Sequence, residues 1–441
     1  MSLPNNIHFI GIGGVSMNAL ALCLKSMGHT VTGSDRTRTE TTDMLIKSGI
    51  TVSIGHAADN IKNAEAVIYN AAISNDNPEL AYAKQQNLQL IERPALLGQI
   101  IQQYPLPIGI AGTHGKTTVT SMISAIFITN NSDPTVMVGG SFSMISGTLR
   151  LGKGSPFIFE ACEYCNSFFN FNPKMSVITN IEPDHLDFFK DIDDIISSFK
   201  KYINQVDTII ANTEDENVLK ALQNTDTKTI TFGIDKGDFT ASNITNENTP
   251  PSFDLIHKGT NLGRISLCVY GKHNIKNALA AAACSYTAGV SFEDIQNGLN
   301  NYKGTSRRFE FIKEVNGVKI IDDYAHHPTE VRATIDAAKK YTKGKIITVF
   351  QPHTYTRVEA LYKDFAKELQ ECDHVILAKI YAAREKSIDG VTSKLISGLI
   401  ENAVYIEDFN DIAAHIKKIS SPGDTVITMG AGDINSLITF L

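Results

Sequence analysis

The sequence predicts an α/β protein of three domains, and three observations carry that expectation. Short apolar runs alternate with segments of helical spacing over the first hundred residues and again beyond residue 312. This is the pattern of a parallel sheet with helices on both faces, and so of Rossmann-like N-terminal and C-terminal domains. Between them, "PIGIAGTHGKTTVTSMISAIF" (107–127) runs a buried strand into a glycine turn, Lys-Thr-Thr and a helix. That order marks a central P-loop ATPase-type α/β domain. Finally, 441 residues with 42% hydrophobic content exceed what one core needs.

The first domain is expected over 1–103. "IHFIGI", "TVTGSD" and "AVIYNAA" are strand-like, and "VSMNALALCLKSMG", "ETTDMLIKSG" and "NPELAYAKQQ" are helical. "QQYPLP", with Pro105 and Pro107, reads as a linker. The central domain is expected over 104–311. It has strands at "FIFEA", "MSVITNI" and "DTIIAN", polar Asn/Thr-rich loops near 240–262, and a helix "HNIKNALAAAACSYTAG" closed by glycine. The third domain, 312–441, alternates again from "VKIIDDY" to "TVITMG", with "VTSKLISGLIEN" among its helices.

Composition excludes several functions. Net charge is −7 without a long basic run, which argues against nucleic-acid binding. No 18-residue apolar stretch suggests a membrane span, and the N-terminus lacks the pattern of a secretory signal. Six scattered cysteines suit a reducing cytoplasm. Cys162 and Cys165 form a lone C-x-x-C, read as two incidental thiols because tetrahedral zinc needs four ligands.

The central loop carries the strongest chemistry. Backbone amides of Gly112, Thr113, His114, Gly115, Lys116, Thr117 and Thr118 can surround phosphate oxygens at a helix N-terminus. Lys116 would neutralise the β- and γ-phosphates, and the Thr117 hydroxyl is placed for Mg²⁺. Ile110 stands where the strict motif has its first glycine, but Gly115 sits where backbone must crowd the phosphate. Near the start, Gly11, Gly13, Gly14 and Ser16, with Asp35 after the next strand, almost complete a dinucleotide fingerprint. NAD(P), another nucleotide and a bare structural turn all stay open there. Glu160 and Glu163 end one strand; Glu182, Asp184, His185 and Asp187 end another. Together they suggest a second magnesium. Tyr324, His326, His327, His353 and Arg357 gather at strand ends of the third domain. Adjacent His326 and His327 point oppositely in extended chain, so one at most is expected to face a site.

"GTHGKTT", "FEACEY…NIEPDHLD", "GKHNIKNALAA", "RRFEF…IIDDYAHHPTE", "FQPHTYTR" and "MGAGDI" occur in the order found in the Mur ligases, and the chain resembles that family over essentially its whole length. The resemblance implies a UDP-sugar domain, an ATP domain and an amino-acid domain, and ATP-driven amide formation in cytoplasmic peptidoglycan synthesis. It points to UDP-N-acetylmuramate, ATP and L-alanine as substrates with Mg²⁺ as cofactor, and to a monomer or homodimer. The family's tripeptide-joining recycling member is the neighbouring reading. A nicotinamide-dependent oxidoreductase would leave "GTHGKTT" unexplained.

By this resemblance Gly11, Gly13, Gly14, Ser16 and Asp35 hold the UDP-sugar. Lys116 and Thr117 hold phosphate and Mg²⁺, with Glu160 and His185 as further metal ligands. His273, Asn274 and Asn277 lie on the adenine side, and Arg308 and Asp323 reach ATP from the hinge and third domain. Tyr324, His326, His353 and Arg357 face the amino acid, and His326 is the expected proton acceptor. Many members read EADESD where this chain has "EACEYC", and many carry arginine at the position of Thr354, which leaves Arg357 as the clearer cation.

Overall fold

The computed structural model describes residues 3–186, 188–245, 249–383 and 385–441. Asp187, one of the acids considered above, lies outside them. Three sheets confirm the three-domain α/β expectation. The first has five parallel strands in the spatial order Thr51–Ile54, Thr30–Asp35, Asn6–Ile10, Ala66–Tyr69 and Gln89–Glu92. In the central sheet, Leu106–Ala111 lies between the parallel strands Met175–Ile178 and Pro156–Glu160. Ile110 is in register with Glu160, so the loop after Ala111 opens beside that carboxylate. The third sheet places Val318–Asp323, Thr425–Met429 and Ile346–Phe350 side by side and parallel, with an antiparallel edge strand Glu310–Val315. Among the described residues no helix is long and apolar enough to cross a membrane.

Four expectations change in detail. The polar stretch 240–262 is not a set of loops. Phe239–Thr245, Ser252–His257 and Thr260–Ser266 form antiparallel strands that extend the central sheet. Only one face of this extension is buried, through Phe253, Leu255 and Ile265, so Asn and Thr occupy the outer face and hide the strand pattern. Pro107 lies inside the strand Leu106–Ala111, near its start where proline is tolerated, so the linker is shorter than "QQYPLP". "VTSKLISGLIEN" contains only the short helix Lys394–Ser397, halted at Gly398, a poor helix former. The expected boundary between 311 and 312 falls within the strand Glu310–Val315.

Helix starts separate two kinds of element. Thr39, Asn77, Asp191, Asp215, Ser291 and Asp408 each cap a helix by accepting backbone N–H bonds. The helices Val15–Ser26 and Lys116–Thr129 instead begin after Gly14 and Gly115 with no side-chain cap. Their first-turn amides are left for another acceptor.

One core runs from the first sheet into the central domain. Phe9, Leu20, Leu97 and Ile101 join Phe157, Phe168, Phe199 and Tyr202 in a single buried cluster. The third domain has its own apolar clusters on the two faces of its sheet.

Candidate functional site

The glycine loop is held open by its neighbours. Gly112 (φ +129°) and Gly115 (φ +83°) adopt backbone conformations that L side chains rarely adopt. A Cβ on Gly115 would lie 2.9 Å from the Asn277 amide oxygen. Asn180 braces the turn: its side-chain oxygen accepts from the His114 amide at 2.8 Å, and its carbonyl accepts from the Thr113 amide at 3.1 Å. Lys116 folds across the loop, donating to the Thr113 carbonyl at 3.1 Å and the Glu163 carboxylate at 3.0 Å. Burial opposes the ammonium charge, but Glu163 outweighs it and raises Lys116 well above its ordinary pKa. Glu163 thus occupies the place an anionic ligand would take beside this lysine.

Beside the loop, toward the third domain, lies a cavity of about 400 Å³. His114, Gly115 and Thr118 of the loop line it, as do His273, Asn274 and Asn277 of one helix. Arg308 and Asp323 close it from the third domain. Burial and the nearby Arg308 push His273 down to about 4, so it is neutral at pH 7. Burial raises Asp323 to about 6, although Arg308 and the amides of Ala325 and Phe309 favour its charge. Glu330 also lines this cavity and is a residue the motif reading passed over. It meets His114 Nδ1 at 3.2 Å, His326 Nδ1 at 3.2 Å and Arg308 Nη1 at 3.8 Å. Burial opposes its charge, but His326, His114 and Arg308 hold its carboxyl well below the usual range. Burial likewise opposes charge on His114, yet Glu330 and Glu182 raise it to about 9.

A second cavity, of about 640 Å³, opens between the first and central domains. Gly14, Ser16, Arg93, Glu160 and Tyr164 line it. Gly11, Gly13 and Asp35 sit behind it and shape the first loop. The Gly13 amide donates to Asp35 at 2.8 Å, and a Cβ on Gly13 would collide with that carboxylate. One Asp35 oxygen is therefore committed to the loop. Tyr324, expected on the amino-acid side, lines this cavity too, with the Arg307 and Arg308 guanidiniums 4.9 and 5.2 Å from its ring centre.

The expected metal ligands surround Lys116. The Glu160 carboxylate accepts from the Gly139 amide at 2.6 Å, where a side chain on residue 139 would clash with it. Thr117 is buried, and its hydroxyl lies 3.4 Å from an Arg308 nitrogen. His185, at φ +54°, packs its ring 4.6 Å from Tyr164. Burial lowers its pKa despite Asp184 and Glu163, so it presents a neutral imidazole. Among the described residues Cys162 and Cys165 belong to no group of potential metal ligands, and both are free thiols.

The third domain brings His326, His353 and Arg357 together. The His326 ring lies 5.4 Å from Tyr324 and 5.8 Å from His353. Burial and Arg357 push His326 down to about 4, leaving it uncharged. Arg357 is not the free cation the sequence suggests. Its Nη2 donates to Asp184 at 2.7 Å, both side chains are about 90% buried, and Nε is buried without a partner. His326 and His327 do point apart, but both are engaged. His327 caps the helix Pro328–Tyr341 and faces the central domain, with Nε2 3.2 Å from the Pro183 carbonyl.

The architecture is three α/β domains, the third reaching the glycine loop of the central one through Glu330 and Arg308. Comparison with known proteins gives that architecture a family. Residues 6–105 match the Mur ligase family catalytic domain, 110–285 the Mur ligase middle domain, and 307–432 the Mur ligase glutamate ligase domain. The chain is 45% identical over 439 residues to UDP-N-acetylmuramate–L-alanine ligase of Acetivibrio thermocellus, covering 97% of this chain and 94% of that one. Identity to the ligase of the same name from Lachnospira eligens is 48%, covering 98% and 96%. The crystal structure of UDP-N-acetylmuramate-alanine ligase from Thermotoga maritima superposes with a TM-score of 0.84 at 30% identity, covering 99% and 98%. The chain belongs to the Mur ligase family.

Proposed function

We propose that this protein is an ATP-dependent ligase that joins L-alanine to the carboxylate of UDP-N-acetylmuramate in cytoplasmic peptidoglycan synthesis. The observation that carries the chemistry is the position of Lys116, on the glycine loop beside the cavity that Gly115 and Thr118 line, with Glu163 standing where a phosphate would. Full-length similarity to ligases of that name supports the substrate choice.

A carboxylate is a poor electrophile, so its oxygen first attacks the γ-phosphorus of ATP, giving an acyl phosphate and ADP. Lys116 neutralises charge on the transferring group. Two of the helices without a side-chain cap start at glycine loops and offer amides to anions: the one at Gly115 to the triphosphate, the one at Gly14 to the sugar-nucleotide diphosphate. The alanine amine then attacks the acyl carbon, its proton is removed, and phosphate leaves. His326 suits the acceptor role, because its Nδ1 faces the Tyr324 carbonyl at 3.0 Å, which leaves a lone pair on Nε2. Thr117, Glu160 and His185 would hold Mg²⁺, their acceptor atoms lying around Lys116; the ion when bound spreads the negative charge of the triphosphate. Closure of the third domain excludes water from the acyl phosphate.

The deciding experiment is ATP-dependent phosphate release with UDP-N-acetylmuramate and a panel of acceptors. L-Alanine should be fastest, glycine and L-serine slow, and leucine inactive. Turnover with a murein tripeptide but not with L-alanine would overturn the reading.

A further inference from the structure

We infer that His114, Glu182 and His327 form a binding site for a transition metal ion such as Zn²⁺, separate from the magnesium ligands and shared between the central and third domains. One donor atom from each of the three lies within 4.8 Å of the others. The Glu182 carboxylate is 3.5 Å from His114 Nε2 and 3.9 Å from His327 Nδ1. Ligand bonds to zinc are about 2.0–2.2 Å. Closing the triangle onto one ion therefore needs side-chain shifts of roughly an ångström, not a rearrangement of backbone.

The two imidazoles are held as metal-binding histidines are held. A ligating histidine almost always donates its other ring N–H to a carboxylate or backbone carbonyl, which fixes the tautomer and aims the lone pair. Here His114 Nδ1 lies 3.2 Å from Glu330, and buried Nε2 makes no hydrogen bond of good geometry but faces Glu182 at 3.5 Å; an ion bound there displaces the proton that these two carboxylates favour. His327 Nε2 lies 3.2 Å from the Pro183 carbonyl, leaving Nδ1 only a long 3.4 Å contact from the Thr329 amide. Glu182 is itself oriented by the Thr329 hydroxyl at 2.6 Å. Two imidazoles and one carboxylate favour zinc, cobalt or copper over magnesium, which prefers an all-oxygen shell. The fourth position is open to water or a phosphate oxygen.

The site's geography gives it a consequence. His114 belongs to the glycine loop and Glu182 to a strand-end loop of the central domain, whereas His327 starts a helix of the third domain. A bound ion therefore fastens the third domain onto the central one and should inhibit a cycle that requires them to part.

The test uses the full chain stripped of metal and kept in excess Mg²⁺. Titration with Co²⁺ should give visible d–d bands saturating at one ion per chain, and Zn²⁺ should displace it and raise Tm. X-ray absorption of the zinc form should show nitrogen and oxygen neighbours with imidazole scattering. Glu182→Gln keeps an acceptor for Thr329, and His327→Asn keeps a helix cap; each should weaken Co²⁺ binding at least ~10-fold. A sulfur neighbour in the absorption spectrum would move the ion to Cys162 and Cys165 and overturn the site. So would unchanged Co²⁺ affinity in both variants, or no saturable binding to the parent protein.

Discussion

Where the first domain meets the central one, apolar side chains interlock; where the third meets it, the contacts are charged. At the first seam Leu97 and Ile101 share a core with Phe168 and Tyr202, and Gly98 lies so close to the Asn170 carbonyl that a Cβ would overlap it at 2.2 Å. At the second, His114 meets Glu330, the Thr329 hydroxyl donates to Glu182, and Arg357 donates to Asp184. Dry apolar contact cannot be exchanged for water without loss, at about 25 cal/mol per Å² exposed. Ionic contacts can be, because water and ligand phosphates offer the same groups replacement partners. The first two domains should therefore behave as one body, and the third as the part that opens and closes over nucleotide.

The largest effect should come from the lysine of the glycine loop. Lys116→Ala is expected to cut turnover at least ~10²-fold, a loss of about 2.7 kcal/mol or more. Fold stability should suffer as well, because Glu163, with its side chain 3% exposed, would be buried without a counter-charge. Adding Glu163→Gln should recover Tm without recovering turnover. Recovery of both would mean that Lys116 serves the fold and not the phosphate.

The apolar seam is tested next. Gly98→Val drives a branched side chain into the Asn170 backbone, which must move, and overpacking of this kind costs about 2 kcal/mol. If the seam is one core, the first and central domains should lose stability together in a single calorimetric transition. A split into two transitions, with the central domain unmoved, would break the comparison.

The contrast also explains what could be read from residues alone. The glycine loop is legible because 112–118 are contiguous and the chemistry is local. Strand–helix alternation exposed all three domains because buried parallel strands are near-continuous apolar runs. The polar seam is a different case. Asp184 finds Arg357 across 173 residues and Glu330 finds His114 across 216, just as Glu163 finds Lys116 across 47 inside the central domain. Single charged residues in loops have no period, and nothing near them in sequence names their partners. The edge strands of 239–266 were hidden for a related reason, since their polar outer face imitates a loop.

The cavity between the central and third domains holds a carboxyl whose ionisation can be followed. Asp323 has its carboxyl raised from 3.8 to about 6, chiefly by burial. A raised acid holds its proton more tightly in the fold, so its contribution is most favourable below about pH 3.8 and declines to a constant penalty above about 6. Asp323→Asn removes the ionisation but keeps an acceptor for only one of two amides, because Phe309 donates to Oδ2 and Ala325 to Oδ1; that loss lowers Tm equally at every pH. The Tm of the variant relative to the parent should rise between pH 4 and 6 and then level off, by an amount worth about 1–2 kcal/mol. ATP affinity should fall in the same variant if Asp323 contacts the nucleotide. A pH-independent difference in Tm would place the proton elsewhere.

The smallest effect expected is at Arg357, and it decides what the charged seam is for. Asp184 already holds one nitrogen of the guanidinium, while buried Nε has no partner. An amino-acid carboxylate arriving from the third-domain side would find a cation countered by Asp184 and bonded to the His353 carbonyl, with one N–H left unpaired that a side-chain shift must uncover. Arg357→Lys preserves the charge and can keep the pair with Asp184, but a single ammonium cannot serve two carboxylates in fixed directions as a planar fork does. The KM for L-alanine should rise by a factor of roughly 5, about 1 kcal/mol, with the KM for ATP and Tm nearly unchanged. Asp184→Asn provides the contrast. It removes the counter-charge from the central domain, and its effect should appear as a more open molecule in small-angle scattering. If Arg357→Lys opened the molecule in the same way and left the KM for alanine untouched, Arg357 would be a fastening between domains, and the amino-acid carboxylate would be held by another group.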